Sequence, residues 1–293
     1  MNGFNSARYL REAIDSLRAQ TYENWEMEFY DNLSEDGSEA IVRSYGDPRI
    51  RFRCAPRRLT LAEGRNAAIE GSRGSWIAFL DCDDLWEPRK LELQVARLAA
   101  DGGDDVGLVY ARTMSFSSRG DEGETTYRYE GRALPEGRIL RQLLLEGNLV
   151  PIISALVSRA AFERFGPIPG RYTFAEDYWL FVAIASAYRV LCVQQTCCRY
   201  RVHDESATYR NKLASHSEAL QVLEEWGAHL EPGELAARRR AYQTLIGLET
   251  MRLPGQAWPG LRRVLVEGSL AFLLRGAVSH GLRRHARGRR SYS

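Results

Sequence analysis

The chain has 293 residues, 44% hydrophobic and 27% charged, with 40 basic against 38 acidic side chains and a formal net charge of +2. That balance gives no bulk electrostatic argument for a polyanionic partner, and nucleic acid is excluded from the expected ones. The length suits one large α/β domain, alone or with a helical appendage. Lys90 and Lys212 are the only lysines, so the positive charge is almost all arginine. The cysteines, Cys54, Cys82, Cys192, Cys197 and Cys198, lack zinc-ligand spacing and point to a reducing compartment. No apolar run reaches the length of a membrane span and no signal peptide precedes the first helix, so the expectation is a cytoplasmic protein, with any membrane contact peripheral.

The opening "MNGFNSARYLREAIDSL" puts Leu10, Ile14 and Leu17 on one face with Ala13 beside them, a helix that Asn5 or Ser6 is placed to cap. "WEMEFYD" alternates Trp25, Met27 and Phe29 with glutamates and reads as a strand running into the turn-rich "DNLSEDGS". A helix around 38–45, the strand "IRFRC" and the helix "LAEGRNAAIEGS", closed by Gly71 or Gly74, follow. "SWIAFLD" is a buried strand that stops at Asp81. "EPRKLELQVARLAA" supplies a helix with Pro88 near its first turn, "VGLVYAR" a strand, and "SSRGDEGETT" a polar loop. Beyond lie a helix near 136–147, the apolar "PIISALVS" and a helix after "FAED". This alternation predicts an α/β fold, a mostly parallel sheet covered on both faces, with ligands beyond the carboxyl ends of its strands. From about Ala214 the pattern turns all helical, which predicts a catalytic domain over 1–213 and a helical region over 214–293.

"FLDCDDLWEP" places Asp81, Asp83 and Asp84 where a buried strand opens into a loop. Three carboxylates that close repel one another unless a hard divalent cation, Mg²⁺ or Mn²⁺, neutralises them and bridges to a diphosphate. A solvated acidic turn is the plain alternative. Cys82 between them is expected to point into the sheet.

The ordered set "YDNLSEDGS", "LAEGRNAAIEGSRGSWIAFLDCDDLWEP" and "FAEDYWLFVAIA" resembles the family 2 glycosyltransferases, inverting enzymes of the GT-A fold, from about Phe4 to Thr208. The resemblance implies a Rossmann-like sheet and a nucleotide-diphosphate-sugar donor, usually a UDP-sugar. It also implies a glycan or lipid-linked acceptor and a Mn²⁺ or Mg²⁺ cofactor. Asp31 would contact the nucleotide base, with Asn32 standing where many members carry a second aspartate; an Asx turn is the alternative. Arg65 and Asn66 match the family's "RN" beside the donor, or are a surface arginine and a helix-start amide. Asp81 and Asp83 match its D-x-D, the first meeting the ribose and the last the metal, with Asp84 the usual extra acid. Asp177 of "AEDYW" would be the general base; acids at 176 and 177 would also suit a helix dipole. Trp179 is read as packing. His203 of "YRVHDESAT" would complete the metal shell or touch the diphosphate, or be simply hydrogen bonded.

Members of that family open with an apolar strand ending in a "P-x-Y-N" turn. Here "NGFN" replaces the turn, and the strand is expected to be missing, through a late start of the sequence or in a degenerate, inactive relative that binds nucleotide or a partner without turnover. A sugar-1-phosphate nucleotidyltransferase fits less well, because it opens with a Gly-rich phosphate loop and a lysine. The basic, apolar "GLRRVLVEGSLAFLLRGAVSHGLRRHARGRR" is either a peripheral membrane-binding helix or a helix packed on the catalytic domain.

Overall fold

A computed structural model describes residues 1–117, 122–124, 129–203, 211–269 and 272. The chain divides into two compact units, Met1–Ala207 and Thr208–Ser293.

In the first unit β1 (Asn2–Gly3), β2 (Met27–Asp31) and β3 (Ile50–Cys54) form a parallel sheet in the order β1-β2-β3. The second sheet holds β4 (Trp76–Ala78), β5 (Leu85–Trp86), β6 (Val106–Ser117), β7 (Glu122–Glu124), β8 (Leu156–Ser158) and β9 (Arg189–Val202). Its order is β4-β8-β6-β9-β5, with β7 on β6. Only β6 and β9 run parallel there; β4–β8, β6–β8, β5–β9 and β6–β7 are antiparallel. The α/β reading holds, but the parallel character is confined to the first sheet and one pair of the second. The alternation of patterns counts elements without giving strand direction, and strands joined by hairpins or loops are free to run antiparallel.

The helices are α1 (Ala7–Arg18), α2 (Ser38–Ser44), α3 (Leu61–Gly71), α4 (Lys90–Asp101), α5 (Leu140–Glu146), α6 (Arg159–Phe165) and α7 (Glu176–Ala187). Leu10 and Ile14 of α1 join Phe29, Val109, Ala111 and Leu191 in one buried cluster, so both sheets share a core. α1 begins as expected, but neither Asn5 nor Ser6 caps it through its side chain. The loop after β2 and the first residue of α2 hold its start instead: Ala7 N donates to Asp36 Oδ2 at 2.9 Å, and Ser6 N to Ser38 Oγ at 3.0 Å. α3 opens on a capping box between Thr60 and Glu63, which sets Arg65 in its second turn.

Two expectations about the sheet need correction. A first strand is present, reduced to two residues and paired Asn2 with Tyr30 and Gly3 with Asp31. Its last residue must be small: a Cβ on Gly3 would lie 2.8 Å from Cys82 Sγ and 2.8 Å from Ser6 Oγ. "SWIAFLD" enters a ladder only over Trp76–Ala78, because β8, its strand partner among the described residues, pairs with it over three residues and begins at Leu156 opposite Ala78.

The second unit contains α8 (Lys212–Trp226), α9 (Pro232–Met251) and α10 (Ala257–Val266). Pro232 opens α9 inside a capping box formed by Glu231 and Glu234. α9 and α10 approach through glycines, since a Cβ on Gly260 would fall 2.6 Å from Gly247 O. Trp258, Leu265 and Val266 of α10 are exposed. Among the described residues no helix is long and apolar enough to cross a membrane. Most of the basic tail, and residues 204–208 of "YRVHDESAT", lie outside the described residues.

Candidate active site

Asp31 ends β2 as a buried carboxylate. Its Oδ2 accepts from Ser34 N at 2.8 Å, the Asx turn foreseen as the alternative, while Oδ1 is buried with no hydrogen-bond partner among the described residues. One oxygen is therefore committed to the turn and the other is free for a ligand donor. Asn32 braces the same end of the sheet, donating to Leu59 O at 2.9 Å and accepting from Leu59 N at 2.8 Å.

The three aspartates after β4 divide into distinct roles. Asp81, partly exposed, accepts from Arg65 Nη2 at 3.1 Å. Asp83 Oδ2 lies 2.8 Å from His203 Nε2, and burial together with the charge of Asp81 raises the Asp83 pKa. Asp84 is fully buried; its Oδ1 accepts from Arg201 N at 2.7 Å, and burial, then Asp83 and Asp81, push its pKa well up. Arg201 also donates through Nε to Asp83 O at 2.7 Å, so this arginine fixes the loop that presents Asp83. Cys82 turns inward, with Sγ 3.4 Å from Asn2 O, tying the acidic loop to β1. Burial pushes its thiol up to about 12, which keeps it protonated.

Arg65 is the centre of the arrangement. Its Nη1 donates to Glu176 and its Nη2 to Asp81, joining α3, the acidic loop and the start of α7 across 111 positions of sequence. Burial opposes its charge, but Asp81, Glu176 and Asp177 more than compensate and raise its pKa. Glu176 is buried at the first position of α7, and burial pushes it up to about 8 despite Arg65. Asp177, next in the helix, is partly exposed. Its Oδ1 accepts from Tyr178 N at 2.6 Å and its Oδ2 from Asn148 Nδ2 at 2.9 Å. Burial raises its pKa, while Arg65, the Tyr178 amide and Asn148 work the other way.

Arg65, Asp81 and Asp177 thus form one cluster, and Asp83 and His203 form a contact of their own beside it. Asn66 is placed differently: its amide clamps the backbone of Ile168, donating to the carbonyl at 2.9 Å and accepting from the N–H at 3.0 Å. Trp179 is buried in packing. Asn148 and Arg201 were not picked out by sequence reasoning. Asn148 follows Gly147 after α5, where nothing local points to Asp177; Arg201 sits inside the matched "YRVH" and was legible only as part of that motif.

A divalent cation fits this set in part. Asp83 and His203 offer one carboxylate and one imidazole, and no cluster of three or more metal-ligating side chains occurs among the described residues. A cation held by two protein ligands and by substrate oxygens suits that supply.

The α/β unit has the fold of GT-A glycosyltransferases of known structure. The S. aureus TarS fragment 1-349 superposes with a TM-score of 0.66 at 15% identity, covering 90% of this chain and 77% of that one. The chain spans 46% of the longer TarS chain. The mannosyltransferase PcManGT from Pyrobaculum calidifontis, solved with GDP-Man and Mn²⁺, superposes with a TM-score of 0.61 at 20% identity, covering 96% of this chain and 78% of that one. The sequence matches glycosyl transferase family 2 over residues 3–166, and the chain belongs to that family. Among curated relatives, the Escherichia coli UDP-Glc:alpha-D-GlcNAc-diphosphoundecaprenol beta-1,3-glucosyltransferase WfgD is 25% identical over 225 residues, 76% of this chain and 83% of that protein.

Proposed function

We propose that the protein transfers a sugar from a nucleotide-diphosphate sugar, of UDP type, to a hydroxyl of a glycan or lipid-linked acceptor, with inversion at the anomeric carbon. The observation that carries this reading is the Arg65 junction, which brings Asp81 and the first turn of α7 together at the strand ends. In it, the spare oxygen of Asp31 takes a donor from the base and Asp81 meets the ribose. Asp83 and His203 would hold Mn²⁺ or Mg²⁺, which when bound supplies positive charge against the departing diphosphate. Asp177 takes the proton of the acceptor hydroxyl as its oxygen bonds to the anomeric carbon and the bond from that carbon to the diphosphate oxygen breaks on the opposite face. Its raised pKa suits a base working closer to neutrality than a free aspartate. Asn66 has a positioning role in this scheme, through Ile168.

The catalytic region is assigned to 1–213 and the helical region to 214–293. WfgD's name specifies a lipid-diphosphate-linked acceptor, and the exposed Trp258, Leu265 and Val266 beside Arg262 and Arg263 support peripheral contact of the helical region with an anionic membrane surface. Titrating UDP into the protein with and without Mn²⁺, with Asp83→Ala alongside, tests the donor site. Metal-dependent binding lost in the variant supports it, and equal binding by both proteins counts against it.

A further inference from the structure

Asp83 and His203, the two side chains proposed to hold a cation, lie 120 positions apart in sequence and meet at 2.8 Å. An imidazole that holds a metal through one ring nitrogen is ordinarily oriented by a hydrogen bond from the other. His203 lacks that device: its Nδ1 is buried with no hydrogen-bond partner among the described residues. Its orientation therefore has to come from packing.

The ring packed against it is that of Tyr9, in the first turn of α1. The two centroids are 5.4 Å apart and the planes are tilted by 50°, within the range of a favourable aromatic contact. Tyr9 is in turn held by cations, with the guanidinium carbon of Arg201 4.3 Å from its centroid and that of Arg8 4.8 Å away. Arg201 is itself fixed on several sides. Its N donates to Asp84, its Nε to Asp83 O and its Nη2 to Glu12 Oε2 at 2.8 Å, and it stacks on Phe116 of β6. Glu12 follows Tyr9 by three positions on α1, so one face of that helix supplies both contacts.

These contacts close a circuit from Asp83 to His203, from His203 to Tyr9, from Tyr9 to Arg201, and from Arg201 back to the carbonyl of Asp83. Arg201 sets the backbone that carries the carboxylate, and Tyr9 sets the ring that faces it. Removing the Tyr9 ring opens the circuit at His203 while the loop of Asp83 stays tied to Arg201.

We propose that Tyr9 is a positioning residue, holding the His203 imidazole with Nε2 toward Asp83 so that the two cation ligands are presented together. This role rests on the metal reading of the site and extends it to α1; Tyr9 acts through His203 and not by touching the cation.

The test compares the full chain with Tyr9→Phe, which keeps the ring, and with Tyr9→Leu and Tyr9→Met, which do not, each checked for folding by its thermal transition. Mn²⁺ affinity is read from the electron paramagnetic resonance signal of free Mn²⁺ with UDP present. The placement of His203 is read in the metal-free protein from through-space NMR contacts between its ring protons and Asp83. Tyr9→Phe should match the parent in both. A folded variant without the ring should bind Mn²⁺ at least about tenfold more weakly and lose the contact between His203 and Asp83. Affinity equal to that of a Mn²⁺-binding parent, or a contact that survives loss of the ring, would overturn the proposal, as would Tyr9→Phe losing as much as Tyr9→Leu. A parent that binds no Mn²⁺ would sink the metal reading separately, and the metal-free NMR contact would then decide the role of Tyr9 by itself.

Discussion

Replacing Arg65 by Met removes the cation that joins three elements while keeping much of the apolar stem. The Arg65 and Glu176 side chains are 5% and 4% exposed, so the pair is buried; Asp81, at 30%, is partly screened by solvent and adds less. Removing one partner of a buried pair destabilises by about 3–5 kcal/mol, because the other is left without compensation. Glu176 limits that loss by holding a proton. Its folded pKa, about 8, lies above its ordinary 4.5, so the native state binds more protons than the unfolded chain between those values. Stability from this group is therefore present at low pH and lost as pH rises through that window. Arg65 is a cause that lowers the Glu176 pKa, so its removal extends the window upward. Urea unfolding should show a loss of about 3 kcal/mol near neutral pH that grows toward about 5 kcal/mol at pH 9, with Glu176→Gln in the Arg65→Met background recovering at least half. A loss below about 1 kcal/mol with the pH slope of the parent protein would refute the reasoning.

Lys90 gives a second pH-dependent case. It is fully buried, 2.8 Å from Gln94 Oε1 and 4.0 Å from the centre of the Trp86 ring, and burial lowers its pKa from 10.5 to about 8. At about 1.4 kcal/mol per pH unit, Lys90→Met should stabilise the protein at neutral pH by up to about 3 kcal/mol, less what the two contacts contribute. The native state releases this proton first, so the parent gains stability from pH 8 to 10.5 and the advantage of the variant should close over that range, as followed by thermal unfolding. Asn66→Ala loses both bonds to Ile168 and should cost about 1–3 kcal/mol in urea unfolding while leaving UDP affinity within about twofold; a large loss of affinity at unchanged stability would make it a donor contact. Asn148→Ala should lower kcat by about tenfold with the donor KM unchanged, and move the acidic limb of the pH–rate profile upward, because Asn148 holds the Asp177 pKa down. An unchanged profile would remove Asn148 from the role of orienting the base.

Much of this architecture was legible in the sequence wherever a local period sets the element. α1, β3, α3 and α7 stand close to where their apolar spacing puts them, and Asp31, Asp81, Asp83 and Asp177 all fall at element ends because carboxylates there meet loops. Contacts between distant segments were less legible. The cap of α1 comes from Asp36, the partner of Asp177 from Asn148, and the brace of Asp83 from Arg201, and each is decided by how segments far apart in sequence pack. "SWIAFLD" shows the same limit within an element. Its composition describes a strand down to Asp81, but a ladder needs neighbours, and among the described residues its partner β8 reaches no further than Leu156, opposite Ala78. The split among the three neighbouring aspartates was likewise hidden, since only burial separates the structural Asp84 from the accessible Asp81 and Asp83.

Release of UDP from UDP-sugar in the presence of Mn²⁺, measured for the parent, Asp83→Ala and Asp177→Asn, tests the assignment of this cluster most directly. The parent should release UDP in a metal-dependent way, with the rate reduced by at least about a hundredfold in each variant. Release that is unaffected by either substitution, or UDP binding by the parent with no release from any UDP-sugar, would contradict the assignment.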